Sequence, residues 1–250
     1  MNNADNKTIW QIKKYIDNIP TSALVPTLKN NATTNEQKAS VLQKAFFPPP
    51  PSANLTDIKK TTYPFKIQYN PQITTRQIRQ AINQLASDKA PGPDEIPNRV
   101  LKHALPTIES HLQTLMQASI NQGHFPKPFK TTITVVLRKP GKPDYTKTKA
   151  YRPIALENTL GKVMESVMTN IMSYLTETHE LLPTQHYGGR PGRSAEDAMM
   201  ILTENIYKAW KKKKIYTAVF MDVAGAFNNV HHDRLIHNLR MRHMPEVITD

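Results

Sequence analysis

The sequence predicts an α+β protein. Three observations carry that prediction. Stripes of apolar residues recur at helical spacing between positions 74 and 176. Residues 131–137 alternate, with Ile133, Val135 and Leu137 on one face and Thr132 and Thr134 on the other. An almost wholly apolar run, residues 215–221, is closed by Asp222 and followed by Gly225, Ala226 and Phe227.

The chain has 250 residues, which accommodates one large domain or one domain with an appendage. Residues 1–70 are rich in Asn, Thr, Lys and Pro and read as an extension or linker carrying short helices. Residues 9–19 and 35–47 have helical character, the second placing Ala39, Leu42, Ala45 and Phe46 on one side. The prolines 48–51 end it, because proline lacks the amide donor and clashes with the preceding turn. This Pro-rich segment reads as a stiff spacer.

Sharper patterning begins at residue 73. Thr74 with Gln77 predicts a capping box for a helix burying Ile78, Ile82 and Leu85. The stretch Ala90-Pro91-Gly92-Pro93-Asp94 breaks it. A helix over 106–121 places Ile108, Leu112, Leu115, Met116 and Ser119 inward and is closed by Gly123. The alternating strand follows, then a basic turn at 139–143 and a short returning strand at 151–156. Residues 158–176 carry the clearest stripe: Leu160, Val163, Met164, Val167, Ile171 and Leu175. The methionines on it are core packing.

Residues 185–194 form a glycine-rich basic loop, and Ser194 with Asp197 predicts a second capping box, for a helix running to about Lys211. The loop lacks the Gly-Lys-Ser/Thr of a P-loop. Two readings of Arg190 and Arg193 stand: phosphate contacts beside a helix N-terminus, or solvated arginines before a capped helix. Asp222 likewise has two. A carboxylate ending a buried strand is costly without compensation, so it marks a magnesium site, or it caps the next turn.

Charge narrows the function classes. Lys and Arg number 33 against 20 Asp and Glu, a net charge of +13 at neutral pH. Such an excess favours a polyanionic partner through counterion release. No segment reads as a basic amphipathic membrane anchor, and no apolar run approaches the roughly 18 residues that span a bilayer. With no cysteine, disulfides, thiolate metal sites and cysteine nucleophiles are excluded. The polar first residues lack a signal-peptide core, so the expectation is an intracellular protein of nucleus or cytoplasm, not secreted, with idle sequons at Asn6, Asn31 and Asn54.

Four blocks together resemble one family. The stretch 88–98, DKAPGPDEIPN, resembles the opening motif of reverse transcriptases from non-LTR (LINE-type) retrotransposons. Lys139-Pro140-Gly141-Lys142 and then YRPIAL at 151–156 resemble its fingers segment. QHYGGRPGRSAED at 185–197 resembles its next block, and FMDVAGAF at 220–227 its palm motif, continued by NNVHHDRL to Leu235. Upstream, Lys38, Leu42 and Phe46-Phe47-Pro48 resemble the linker between endonuclease and polymerase.

The resemblance implies a partial right-hand polymerase: fingers and an incomplete palm over 71–250, with a helical, Pro-rich extension over 1–70. It implies RNA template, DNA primer and deoxynucleoside triphosphates as partners and Mg²⁺ as cofactor. Asp222 matches the aspartate that holds both metal ions, and the carbonyl of Val223 a secondary ligand. Phe227 matches the aromatic gate against a ribose 2′-hydroxyl. Arg152, with Lys139 beside it, matches the grip on the nucleotide phosphates. Arg190 and Arg193 fall in a block expected near template or primer. Phosphoryl transfer needs such metal-held carboxylates and fixed cations.

Two departures stand out. Asn228 replaces the acidic residue that many relatives carry after the gate, and no Asp-Asp dipeptide, the core of the family's second palm motif, occurs in the chain. Two metal ions need more than one carboxylate, so the expectation for the isolated chain is no polymerisation and weak magnesium binding. The alternative expectation is a non-catalytic nucleic-acid-binding remnant.

Overall fold

A computed structural model of the chain describes residues 25–29, 31–49, 52–223, 225–227 and 229–249. The helix expected at 9–19 lies outside the described residues. The chain packs as two compact units, one formed by the described residues up to Pro48 with Thr134–Ala155, the other by Pro49–Ile133 with Leu156–Asp250. Helices with one small sheet make it an α+β protein.

In the first unit, helix α1 spans Asn35–Phe46 behind a complete Thr34–Gln37 capping box. It buries Leu42 and Phe46 against Leu28, Ala32, Ala150 and Tyr151, with Val41 partly covered. The expected stripe is narrower than Ala39–Leu42–Ala45–Phe46, since both alanines stay exposed. Strands β1, Thr132–Arg138, and β2, Tyr151–Glu157, form a two-stranded sheet. The Lys139 amide, just after β1, donates to the Ala150 carbonyl, just before β2, at 2.8 Å. The strands therefore run antiparallel. The loop between them is tied internally. The Tyr151 hydroxyl donates to the Tyr145 carbonyl at 2.7 Å, and the Tyr145 hydroxyl to the Lys139 carbonyl at 2.9 Å.

The expected half-buried face of β1 is reversed. Ile133, Val135 and Leu137 are 49%, 38% and 44% exposed, whereas Val136, on the opposite face, packs against the buried cluster that includes Leu42, Phe46 and Tyr151. Alternation predicts that one face is covered but not by what. Here the Val136 side joins the cluster built by α1, Ala150 and Tyr151, and the Ile133, Val135 and Leu137 side stays exposed.

The second unit is built on three helices. These are α2, Thr75–Gln84, α3, Asn98–Asn121, and α4, Thr159–Thr178. Ile78 and Ile82 of α2, Leu101, Leu105, Leu112 and Met116 of α3, and Val163, Met164, Val167, Ile171 and Leu175 of α4 share one core. Leu85 and Ile108 pack at its margin, and Leu115 is 42% exposed. Helix α3 begins eight residues before the expected start at Pro106, which sits inside it. An interior proline costs about 3 kcal/mol. Burial of Leu101 and Leu105, each worth about 1.5–3 kcal/mol, outweighs that cost.

Helix α5, Ala195–Lys211, follows the complete Ser194–Asp197 capping box but buries no residue. Helices α6, His232–Met241, and α7, Glu246–Thr249, close the unit. Residues 54–67 strap across these last helices. Arg234 makes two 2.7 Å bonds to the Asp57 carboxylate and a third to the Asn54 carbonyl. The Tyr63 hydroxyl meets His237 Nδ1 at 3.2 Å, the Ile67 amide donates to the His243 carbonyl at 3.0 Å, and Lys66 pairs with Glu246 at 2.8 Å. Among the described residues no helix is long and apolar enough to cross a membrane.

Candidate catalytic carboxylate and nucleic-acid interface

The block 88–98 is structural cement at the start of α4. Asn158 stands at the N-cap position of that helix, and its side chain is spent on neighbours instead of on the helix amides. Its side-chain oxygen accepts the Asp94 amide at 3.0 Å, and its nitrogen donates to the Pro128 carbonyl at 3.0 Å. The fully buried Thr159 hydroxyl lies 2.7 Å from the Ile96 carbonyl and 3.2 Å from Asn98 Oδ1, while Asn98 Nδ2 donates to the Ala86 carbonyl at 2.8 Å. Gly92 is buried against the Glu157–Asn158 peptide.

Lys139 and Arg152 both lie in the first unit. Arg152 stands exposed on β2. Lys139 Nζ donates to the Lys149 carbonyl at 3.0 Å, so this ammonium helps close the strand-connecting loop. Within that loop Asp144 accepts from the Thr146 hydroxyl at 2.6 Å and the Thr146 amide at 2.9 Å. These bonds, with Lys29 and Lys147 nearby, lower its carboxyl pKa to about 2.

The glycine-rich loop departs from a picture of solvated arginines. The Arg190 side chain is only 7% exposed. Its Nε and Nη2 donate to the two Glu177 carboxylate oxygens at 2.8 and 2.6 Å, and its Nη1 to the Pro183 carbonyl at 3.0 Å. Arg193 donates to the Thr184 carbonyl and lies over the Tyr187 ring, 5.3 Å from its centroid. Hydrogen bonding to Arg190 holds the Glu177 carboxyl below its ordinary pKa. Sequence reasoning missed Glu177 and Tyr187. A signal for Glu177 was present, because an acidic residue in the last turn of a helix opposes the helix dipole and calls for a cation.

The expected buried strand before Asp222 does not form. Residues 215–223 have no regular structure; Ile215, Val219, Phe220 and Met221 are 95%, 77%, 82% and 91% exposed. A strand needs neighbours for its backbone donors and acceptors. Among the described residues the only two strands pair with each other. Asp222 is exposed, and its Oδ1 accepts the Val223 amide at 2.9 Å. Val223 is 73% and Phe227 95% exposed. The Asn229 amide closes a turn on the Gly225 carbonyl at 3.0 Å, while Asn228 lies outside the described residues.

Among the described residues no three Asp, Glu, His or Cys side chains converge on a point that could hold a metal ion. A lone carboxylate with a neighbouring carbonyl does not make a two-metal centre, since Mg²⁺ surrenders its waters reluctantly. The donor set present here does not fit that centre by itself.

Comparison with known proteins bears on the family. The family model described as reverse transcriptase (RNA-dependent DNA polymerase) matches residues 137–249. The chain is 34% identical over 169 residues to a probable RNA-directed DNA polymerase from transposon BS of Drosophila melanogaster, an alignment covering 67% of this chain and 18% of that protein. It is 23% identical over 253 residues to the RNA-directed DNA polymerase from mobile element jockey of Drosophila funebris, covering 97% of this chain and 27% of that protein. It is 30% identical over 195 residues to a putative 115 kDa protein in the type-1 retrotransposable element R1DM of Drosophila melanogaster, covering 77% of this chain and 18% of that protein. The chain thus spans about a fifth to a quarter of the length of these relatives. Motif blocks in family order, the family match over 137–249 and the run of retrotransposon relatives agree, and the chain belongs to the reverse transcriptases of non-LTR retrotransposons.

Proposed function

We propose that this chain supplies the fingers and the opening of the palm of an RNA-directed DNA polymerase. One observation carries the reading: Lys139, Arg152, Arg190, Arg193, Asp222, Val223 and Phe227 all fall inside the segment matched by the reverse transcriptase family, residues 137–249. In this reading Arg152, exposed on β2, grips nucleotide phosphates, with Lys139 bracing the loop beside it. Asp222 is the palm carboxylate, the Val223 carbonyl a lesser ligand and Phe227 the gate against ribose. The loop 185–194 lies near template or primer. RNA template, DNA primer and deoxynucleotides are the partners, and a divalent cation the cofactor, of the complete polymerase.

The 250-residue chain by itself is inactive in this proposal. The support is the single exposed carboxylate at Asp222, with no cluster of metal-holding groups among the described residues. Primer extension on an RNA template tests it. No extension is expected; extension that Asp222→Ala abolishes would overturn the proposed inactivity. The net charge of +13 favours a second activity that survives without chemistry, the binding of nucleic acid. Duplex binding that weakens steeply with salt and ignores magnesium and deoxynucleotide is its expected signature.

A further inference from the structure

We propose that Arg190 and Glu177 form a positioning clamp that sets the glycine-rich loop, and that Arg193 is the loop arginine offered to a polyanion. The inference rests on the nucleic-acid-binding reading for Arg193 but not for the clamp.

The two arginines stand three residues apart and differ in how their charge is paired. Arg190 has its guanidinium buried and bonded through three nitrogens, to both Glu177 oxygens and to the Pro183 carbonyl; Nη1 also lies 3.4 Å from the His186 carbonyl. A guanidinium has five N–H donors in a rigid fork, and this geometry engages most of them. Its charge is neutralised within the fold. A paired charge has few counterions to release from a polyanion, so it adds little to salt-dependent affinity. What it does is join the end of α4 to the loop from both sides, through a carboxylate on the helix and carbonyls at the loop's start.

Arg193 is held differently. It donates to one carbonyl, Thr184, and its guanidinium lies over the Tyr187 face. Among the described residues it forms no ion pair, although its charge adds to that of Arg190 in holding the Glu177 carboxyl pKa down. Beyond the arginine, Ser194 and Asp197 cap α5 reciprocally, with the Asp197 amide 3.1 Å from Ser194 Oγ. Gly192, φ 68°, has open space where a side chain would stand, so a backbone or phosphate can approach Arg193 from that side. Tyr187 holds the cation in a fixed orientation and adds a flat apolar surface beside it.

The test uses the full chain and two readouts, the melting temperature and the slope of log Kd against log salt for an RNA–DNA duplex. Glu177→Gln and Arg190→Gln are expected to lower the melting temperature and leave the slope unchanged. Arg190→Lys, which keeps a charged donor opposite Glu177 and the carbonyls, is expected to recover part of the loss. Arg193→Gln is expected to reduce the slope by about one, with the melting temperature held. An Arg190→Gln variant that flattens the slope as Arg193→Gln does, or a Glu177→Gln variant that melts like the parent, overturns the clamp. An Arg193→Gln variant with an unchanged slope overturns the assignment of Arg193. Should the parent chain show no salt-dependent binding, the nucleic-acid reading fails with the Arg193 half, and the melting comparison still decides the clamp.

Discussion

Gly92 and Glu157 touch so closely that no side chain fits between them. A Cβ built on Gly92 would lie 2.2 Å from the Glu157 carbonyl carbon and 2.4 Å from the Glu157 oxygen. The neighbour is backbone at the junction of β2 and α4, which cannot swing aside as a side chain does. The stretch 88–98 is therefore a packing motif: it wedges its turn under the start of α4.

Gly92→Ala should accordingly destabilise the fold by about 2–3 kcal/mol through overpacking. In a thermal melt this corresponds to a loss of roughly 5–10 °C for a chain of this size. A variant that melts with the parent would show that the turn yields.

The Thr159 hydroxyl is buried and bonded to Ile96 and Asn98. Thr159→Val keeps the shape and removes the donor, leaving the Ile96 carbonyl without it. The expected cost is about 1–3 kcal/mol. Urea unfolding of the two proteins gives the number directly, with an unchanged m-value expected.

Asp57 gives the strap a pH dependence. Its bonds to Arg234 lower its carboxyl pKa to about 2. A depressed carboxyl pKa means stability that is present above the unfolded value of about 4 and is lost as pH falls through the folded value. Protection of the α6 amides against hydrogen exchange should therefore fall between about pH 4 and pH 2, more in the parent than in Asp57→Asn. Equal acid sensitivity in both proteins would remove Asp57 as the cause.

The segment before Asp222 should be the first cut within the described residues. It has exposed Phe220 and Met221 on backbone without regular structure. Brief chymotrypsin treatment is expected to cleave after Phe220 before any site in α2, α3 or α4. Phe220→Ser with Met221→Ser should raise solubility and leave the melting temperature within about 1 °C, since neither side chain supports the core. A large loss of stability would show instead that the segment packs.

Much of this protein was written locally. The three capping boxes at Thr34, Thr74 and Ser194 depend on residues three apart, so the sequence alone determined where α1, α2 and α5 begin. The stripe of α4 determined its buried face, and the ordered motif blocks determined the family. What only the tertiary structure decided involves partners distant in sequence. Helix α3 runs through Pro106 because Leu101 and Leu105 find a core. The face of β1 that packs is the Val136 face, against the cluster that α1 and Tyr151 share. Arg190 is a clamp because Glu177 ends the preceding helix beside it. The run 215–221 has strand composition, yet a strand is completed by hydrogen bonds from neighbouring strands, and composition cannot supply those.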